Sequence, residues 1–358
     1  MMVRTVHGGD IYSKYDIGHN RRLIDFSANI NPLGLPEGVK KAIFENIGQF
    51  SNYPDPVCRE LAEKIALHEN VPQDYIICGN GAADIIYRIA GALKPGNTLV
   101  TAPSFSEYEE AVRLEGGGIK YHYLSEARNF LVGRDILKAL TPDIRLVFLC
   151  NPNNPTGKLT EKETVLELAG RCRDNNCTLV VDECFMDFLD DPHKYSVSDC
   201  LESFENVIVL KAFTKIYAMA GIRLGYALCS CKELLERLKI SGQPWGVSAV
   251  AQICGVAALD EHAYISRTKK LVRRNREYLL QELDKLGYKV FDSAANYILF
   301  KTENRNLHKE LLKYGILARS CNNYAGLDEK YIRVAVKLEQ DNQYLIGCLQ
   351  ELEAARGK

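Results

Sequence analysis

The chain has 358 residues, 46% hydrophobic and 25% charged, the balance of a globular protein and one that excludes a long disordered part. Its 45 Lys and Arg against 46 Asp and Glu leave a formal net charge of -1, which excludes a global field drawing it to nucleic acid or an anionic membrane. At this length a single core has usually stopped growing, so two domains are expected: a large one over residues 45–245 and a smaller one over 246–358 joined by the N-terminal segment 1–44.

The first residues hold no apolar core of signal-peptide length, and no later apolar run is long enough to cross a bilayer, so a cytoplasmic location without membrane contact is expected. The first forty or so residues have too few periodic apolar positions to fold alone and are expected to pack on the smaller domain or on a partner subunit. The apolar Tyr75-Ile76-Ile77 leads into Cys78-Gly79-Asn80-Gly81-Ala82-Ala83-Asp84, which opens a helical pattern over 85–93. Small residues at such a place let backbone N–H groups at a helix N-terminus face an anion; a plain turn would read the same way. A dinucleotide fingerprint fits less well, because Asp84 stands where glycine or alanine is required.

Short runs rich in Val, Ile and Leu recur at 98–102, 145–150, 178–181, 206–210 and 225–229, with helical patterns between several of them, as at 161–175. The alternation predicts a largely parallel sheet covered by helices on both faces. After Trp245 the pattern changes to one helical stretch over about 248–286 and four short strands at 288–291, 297–301, 316–320 and 331–336, an α+β unit. The 12 cysteines are scattered from Cys58 to Cys348 without a C-x-x-C pair, and Cys229-Ser230-Cys231 has no second cysteine pair or nearby histidines. Buried reduced thiols are expected, and no metal.

Three further segments carry chemistry. Asn151-Pro152-Asn153-Asn154-Pro155-Thr156-Gly157 follows a strand at the edge where open α/β sheets keep their ligands, and its prolines define a loop able to aim a side-chain amide. Asp182 ends the buried run 178–181; a buried carboxylate needs either a ligand cation, such as a pyridinium N–H, or a salt-bridge partner in the protein. Lys215, in Ala212-Phe213-Thr214-Lys215-Ile216-Tyr217, follows the strand 206–210 among apolar neighbours. Desolvation there would make it a usable amine nucleophile, although a lysine is more commonly a solvated surface charge.

Asn154, Asp182, Lys215 and Arg223 stand in this order with separations of 28, 33 and 8, and in this the chain resembles the fold-type I pyridoxal phosphate enzymes, the aspartate aminotransferase superfamily. The resemblance implies an α/β large domain with a mostly parallel seven-stranded sheet, plus a smaller α+β domain. It implies that Lys215 holds pyridoxal 5'-phosphate as a Schiff base and shuttles the proton, that Asp182 faces the pyridine nitrogen, and that Asn154 donates to the phenolate oxygen. Arg223, Thr214 and the Gly81, Ala82 and Ala83 backbone would hold the phosphate, and Phe105 would lie against the ring. Tyr53, in Asn52-Tyr53-Pro54, matches the tyrosine that reaches the neighbouring subunit's phosphate, which implies a homodimer with shared active sites.

Within the superfamily the chain is similar to the histidinol-phosphate aminotransferase branch. His7-Gly8-Gly9-Asp10-Ile11, the segment 24–34, Arg319-Ser320-Cys321-Asn322-Asn323-Tyr324 and Tyr331-Ile332-Arg333-Val334 resemble the threonine-phosphate decarboxylases more closely. This implies a small phosphorylated amino acid as substrate, with Arg333 on its carboxylate and His7, Asn29 and Arg319 on its phosphate. Read without the resemblance, His7 is an N-terminal tail residue and Arg319 a surface ion pair. Asp182-Glu183-Cys184-Phe185 lacks the tyrosine hydroxyl usual in the transaminases of the branch, Ala212 lacks a phosphate-binding hydroxyl, and Lys337 stands where the decarboxylases often have a second arginine. The first departure speaks for the decarboxylases, which tolerate Phe there; the other two leave decarboxylation of serine phosphate open, and histidinol-phosphate transamination stands as the alternative.

Overall fold

In the computed structural model, which describes residues 7–12 and 23–356, the segment before the first long helix contributes one short strand, β1 (Ile24–Asp25). The aliphatic runs that follow become strands buried on both faces: β2 (Ile76–Gly79), β3 (Asn97–Ala102), β5 (Ile144–Cys150), β6 (Thr178–Asp182), β7 (Val207–Ala212) and β8 (Gly225–Leu228), with β4 (Gly118–Tyr123) at the edge. They form one seven-stranded sheet in the order β2-β8-β7-β6-β5-β3-β4. β8 runs antiparallel to both its neighbours, and β4, β3, β5, β6 and β7 run parallel. The parallel expectation thus holds except at β8. β4 escaped the sequence reading because Gly-Ile-Lys-Tyr-His-Tyr lies at an edge, half exposed, and needs few aliphatic side chains.

Two apolar layers cover the sheet. Ile85, Ile86 and Ile89 of the helix Ala82–Leu93 and Leu234, Leu235 and Leu238 of the helix Lys232–Ile240 pack on one face. Leu61 and Ile65 of Arg59–Glu69, and Val165, Leu168 and Ala169 of Lys162–Asp174, pack on the other. The second layer continues without a break into Ile298, Phe300, Leu345 and Leu349 of the C-terminal part, so both parts share one core.

The C-terminal part carries β9 (Lys289–Phe291), β10 (Tyr297–Lys301), β11 (Ile316–Leu317), β12 (Arg319–Ser320) and β13 (Tyr331–Ala335). Four of these make an antiparallel sheet in the order β12-β13-β10-β9, and β11 pairs in parallel with β1. The N-terminal segment packs on this unit, one of the two places expected for it, and Glu37–Glu45 lies on the helix Ala249–Leu259. The stretch expected as one helix over 248–286 is two, Ala249–Leu259 and His262–Lys285. Ser248 Oγ caps the first by accepting from Ala251 N at 3.1 Å. The break falls at Asp260-Glu261, where Glu261 accepts from Gly38 N at 2.6 Å; this tie to the N-terminal segment is long-range, and no local periodicity announces it.

Polar ties fix the small sheet against the large one. Glu126 accepts from Lys289 at 2.6 Å and Lys301 at 2.8 Å, and Lys158 pairs with Asp292. Tyr297 Oη donates to Asn153 O at 2.9 Å. These contacts bring β13, which carries Arg333, to the C-terminal ends of β5, β6 and β7.

Candidate active site

The site follows from strand register. Cys150 at the end of β5 lies opposite Asp182 at the end of β6, and Asp182 lies opposite Leu210 of β7. The loop after β5, the end of β6 and the turn after β7 therefore open at one edge, around a cavity of about 330 Å³. Lys215, Asn154, Asp182, Thr214, Arg223, Arg333, Ala82, Ala83, Phe105, Asn29 and His7 all line it.

Lys215 lies on the short helix Phe213–Ile216 immediately after β7. Its Nζ stands 5.9 Å from the ring centre of Phe185 and bonds to no acceptor among the described residues. Burial pushes its amine down to about 8; the charges of Arg333 and Arg223 act in the same direction, against Cys184 and Asp182. This is the desolvated amine that the sequence permitted, rather than a solvated surface charge.

Asp182 has no salt-bridge partner among the described residues. Its carboxylate accepts from Tyr108 Oη at 2.5 Å and from Cys184 N at 3.0 Å. A buried carboxylate with two neutral donors and no cation suits a ligand N–H⁺ on the cavity side. Tyr108 was not foreseen from the sequence; it is buried and stacked on Phe148 at 4.7 Å. The signal available was the need of any buried carboxylate for donors.

Small residues build the anion cradle. Gly81, at φ +82, precedes the helix Ala82–Leu93, and a Cβ there would stand 2.6 Å from Arg223 Nη2. A Cβ on Gly225 would meet Ala82 N at 2.4 Å. The Arg223 guanidinium thus reaches the first turn of a helix, and no carboxylate neutralises it among the described residues; its recorded bond is to Ala220 O at 3.5 Å. A cation, open helical N–H groups and Thr214 together make a site for a dianion such as a phosphate monoester. Asp84 supports the turn by accepting from Asn80 N at 2.9 Å while it pairs with Arg88 at 2.7 Å.

Also lining the cavity, Arg333, 4% exposed, donates through Nη1 to Asn154 Oδ1 and through Nη2 to Ser27 O at 2.7 Å. Its Nε is buried without a partner, and no carboxylate of the described residues faces it. A buried guanidinium without a counterion is costly and is suited to a carboxylate arriving with a ligand. Asn29, 3% exposed, also has its Oδ1 buried without a partner. His7 Nε2 lies 2.6 Å from Glu107 Oε1, and its ring is 5.6 Å from that of Phe105; it is a wall residue rather than a loose tail.

Three of the expected residues stand apart from the cavity lining. Gly81 acts through backbone shape and through the space it leaves for Arg223. Tyr53 is 81% exposed, its ring 4.8 Å from that of Trp245. Arg319 lies opposite Arg333 in the β12–β13 register, with its guanidinium 5.6 Å from the Tyr324 ring centre and Nη2 donating to Asn323 at 2.8 Å. Glu107, Ser27 and Tyr324 line the cavity and were not foreseen.

Comparison with known proteins places this geometry in context. Residues 21–349 match the family described as aminotransferase class I and II. The threonine-phosphate decarboxylase of Salmonella typhimurium is 37% identical over 356 residues, 98% of this chain and 97% of the relative. The crystal structure of the histidinol-phosphate aminotransferase from Clostridium acetobutylicum superposes with a TM-score of 0.87 at 31% identity, covering 93% of this chain and 100% of that one. That of L-threonine-O-3-phosphate decarboxylase from Porphyromonas gingivalis gives 0.83 at 26% identity, over 91% and 98%.

Proposed function

The chain belongs to the aminotransferase class I and II family, and from that premise we propose that it is a pyridoxal-phosphate-dependent decarboxylase. It converts O-phospho-L-threonine to (R)-1-aminopropan-2-yl phosphate and carbon dioxide, a step of cobalamin biosynthesis. The observation that carries this reading is the buried Arg333 guanidinium, without a carboxylate partner, in the same cavity as the desolvated Lys215 amine. The full-length likeness to the Salmonella decarboxylase supports the choice of substrate.

The residues present fit the cofactor. Lys215 offers the amine, Asp182 an unpaired carboxylate for a protonated ring nitrogen, and Asn154 a donor amide. Arg223, Thr214 and the first turn at Ala82 and Ala83 offer the phosphate cradle, and Phe105 a ring to stack on. When bound, pyridoxal phosphate supplies a conjugated sink for the electron pair left at the substrate Cα. Asp182 keeps the ring nitrogen protonated and so deepens that sink. Arg333 would grip the substrate carboxylate and orient the bond that joins it to Cα, while His7, Asn29 and Arg319 would hold the substrate phosphate. Lys215 would return a proton to Cα once carbon dioxide has left.

Decarboxylation and transamination diverge only in which bond at Cα is aligned, so the histidinol-phosphate aminotransferase reading is the second one, favoured by the Clostridium superposition. Against it stands Phe185, which lies in the wall beside Lys215 without a hydroxyl. A panel of threonine phosphate, serine phosphate and histidinol phosphate decides: the highest kcat/KM is expected for threonine phosphate with no keto acid present. Turnover only with histidinol phosphate and 2-oxoglutarate would transfer the protein to the second reading.

The partner is a second copy of the chain. Tyr53 and Trp245 are exposed with their rings in contact, and Phe44, Ile47 and Val57 are exposed apolar side chains as well, residues suited to an interface. With Tyr53 completing the neighbour's phosphate site, mixing inactive Lys215→Ala and Tyr53→Ala enzymes is expected to restore activity. Random pairing into two-fold dimers gives about a quarter of the wild-type sites; no recovery after subunit exchange would mean that Tyr53 serves its own chain. No helix among the described residues is long and apolar enough to cross a membrane.

A further inference from the structure

One ring links the two groups that the proposed reaction must hold in register. Tyr324 is 7% exposed and lines the cavity. Its hydroxyl lies 3.4 Å from Asn154 Oδ1 and accepts from Arg333 Nη1 at 3.2 Å, and the same Nη1 donates to Asn154 Oδ1. Asn154, Arg333 and Tyr324 thus form a closed triangle of hydrogen bonds. Two donors on Asn154 Oδ1 fix which way the amide is turned and leave its Nδ2 as the remaining donor edge; among the described residues that edge has no partner.

The ring is held firmly enough to do this. Tyr324 N donates to Cys321 O and Leu327 N to Tyr324 O, each at 3.0 Å. The ring packs in the apolar cluster that contains Leu124, Phe130 and Tyr331, and the Arg319 guanidinium lies 5.6 Å from its centre. Tyr324 therefore contacts the proposed carboxylate clamp, the proposed donor to the cofactor's ring oxygen and a proposed phosphate ligand. Among the described residues, the side-chain donors to Asn154 Oδ1 are Tyr324 and Arg333, the other two members of the triangle.

We propose that Tyr324 is a positioning residue that locks the Arg333 clamp and the Asn154 amide into one arrangement, so that the substrate carboxylate and the cofactor's ring oxygen are held in fixed relation. The inference rests on the decarboxylase reading for its substrate and on the cofactor fit alone for its spectroscopy. The test is Tyr324→Phe in the holoenzyme, which keeps the ring and removes the hydroxyl. A donor on the ring oxygen favours its anionic form, so loosening Asn154 is expected to raise the pH midpoint of the bound cofactor's visible band by roughly half a unit. In an Asn154→Ala background the same substitution is expected to add no further shift. KM for threonine phosphate should rise about fivefold as Arg333 loses a fixed partner.

An unmoved midpoint together with an unmoved KM, with only a lower melting temperature, would reduce Tyr324 to packing and overturn the inference. So would a midpoint shift that persists undiminished in the Asn154→Ala background. The spectroscopic arm needs no substrate: if wild-type enzyme releases no carbon dioxide while the midpoint moves as expected, the decarboxylase reading fails and the positioning of Asn154 stands.

Discussion

Replacing Lys215 by Ala is expected to abolish turnover, with a loss of at least about a thousandfold, and to remove the cofactor's visible protein-bound band. The size follows from two roles lost together, covalent anchoring and proton return to Cα, since a positioned acid or base alone contributes roughly 10²- to 10⁴-fold. The environment adds a pH signature. Burial holds the Lys215 amine down to about 8, with Arg333 and Arg223 acting in the same direction, and only the neutral amine is a nucleophile. Reloading of cofactor-free enzyme should therefore slow about tenfold for each pH unit below that value and level off above it. An unchanged spectrum in the Lys215→Ala protein would remove Lys215 as the anchor.

Arg333→Ala is expected to lower kcat/KM by about a hundredfold, and Arg333→Lys by less but still measurably, while the cofactor band is retained. Lysine keeps the charge but cannot reproduce a guanidinium that donates at once to Asn154 and Ser27 O and still faces a carboxylate. Losing one side of a buried charge pair costs on the order of 3 kcal/mol, which is about a hundredfold. The loss should appear in KM and kcat together, because the same grip binds the carboxylate and aligns its bond. A variant that binds and decarboxylates threonine phosphate normally would move the carboxylate site elsewhere on the wall.

What could be read from the sequence was what chemistry and periodicity encode locally. The runs that became β5, β6 and β7 are buried on both faces, so their continuous aliphatic character announced a parallel sheet. The spacing of Asn154, Asp182, Lys215 and Arg223 survived because each sits where a strand or the following turn must deliver it to the same sheet edge. Arg333 arrives from the other end of the chain, and only the resemblance connected it to the rest. The missed features depend on contacts distant in sequence. Glu261 ends a helix to reach Gly38, β4 needs little burial at its edge, and Tyr108 and Tyr324 are ordinary tyrosines until Asp182, Asn154 and Arg333 are set beside them.

The placement of Tyr53 and Arg319 has the same origin. Tyr53 lies on an exposed surface, where a role toward another subunit cannot be seen within one chain. Arg319 rests on the Tyr324 ring, so its proposed hold on the substrate phosphate runs alongside the triangle that fixes Arg333. On the proposed reading the choice of reaction lies with the Arg333 clamp: the lysine and the cofactor would make either bond at Cα breakable, and the clamp would select one.

The measurement that addresses this selection most directly uses threonine phosphate labelled in its carboxyl group, incubated with cofactor-loaded enzyme and no keto acid. The account predicts one labelled carbon dioxide for each aminopropanol phosphate formed, over many turnovers. Label retained in a keto acid, with turnover that stops unless 2-oxoglutarate is supplied, would contradict it.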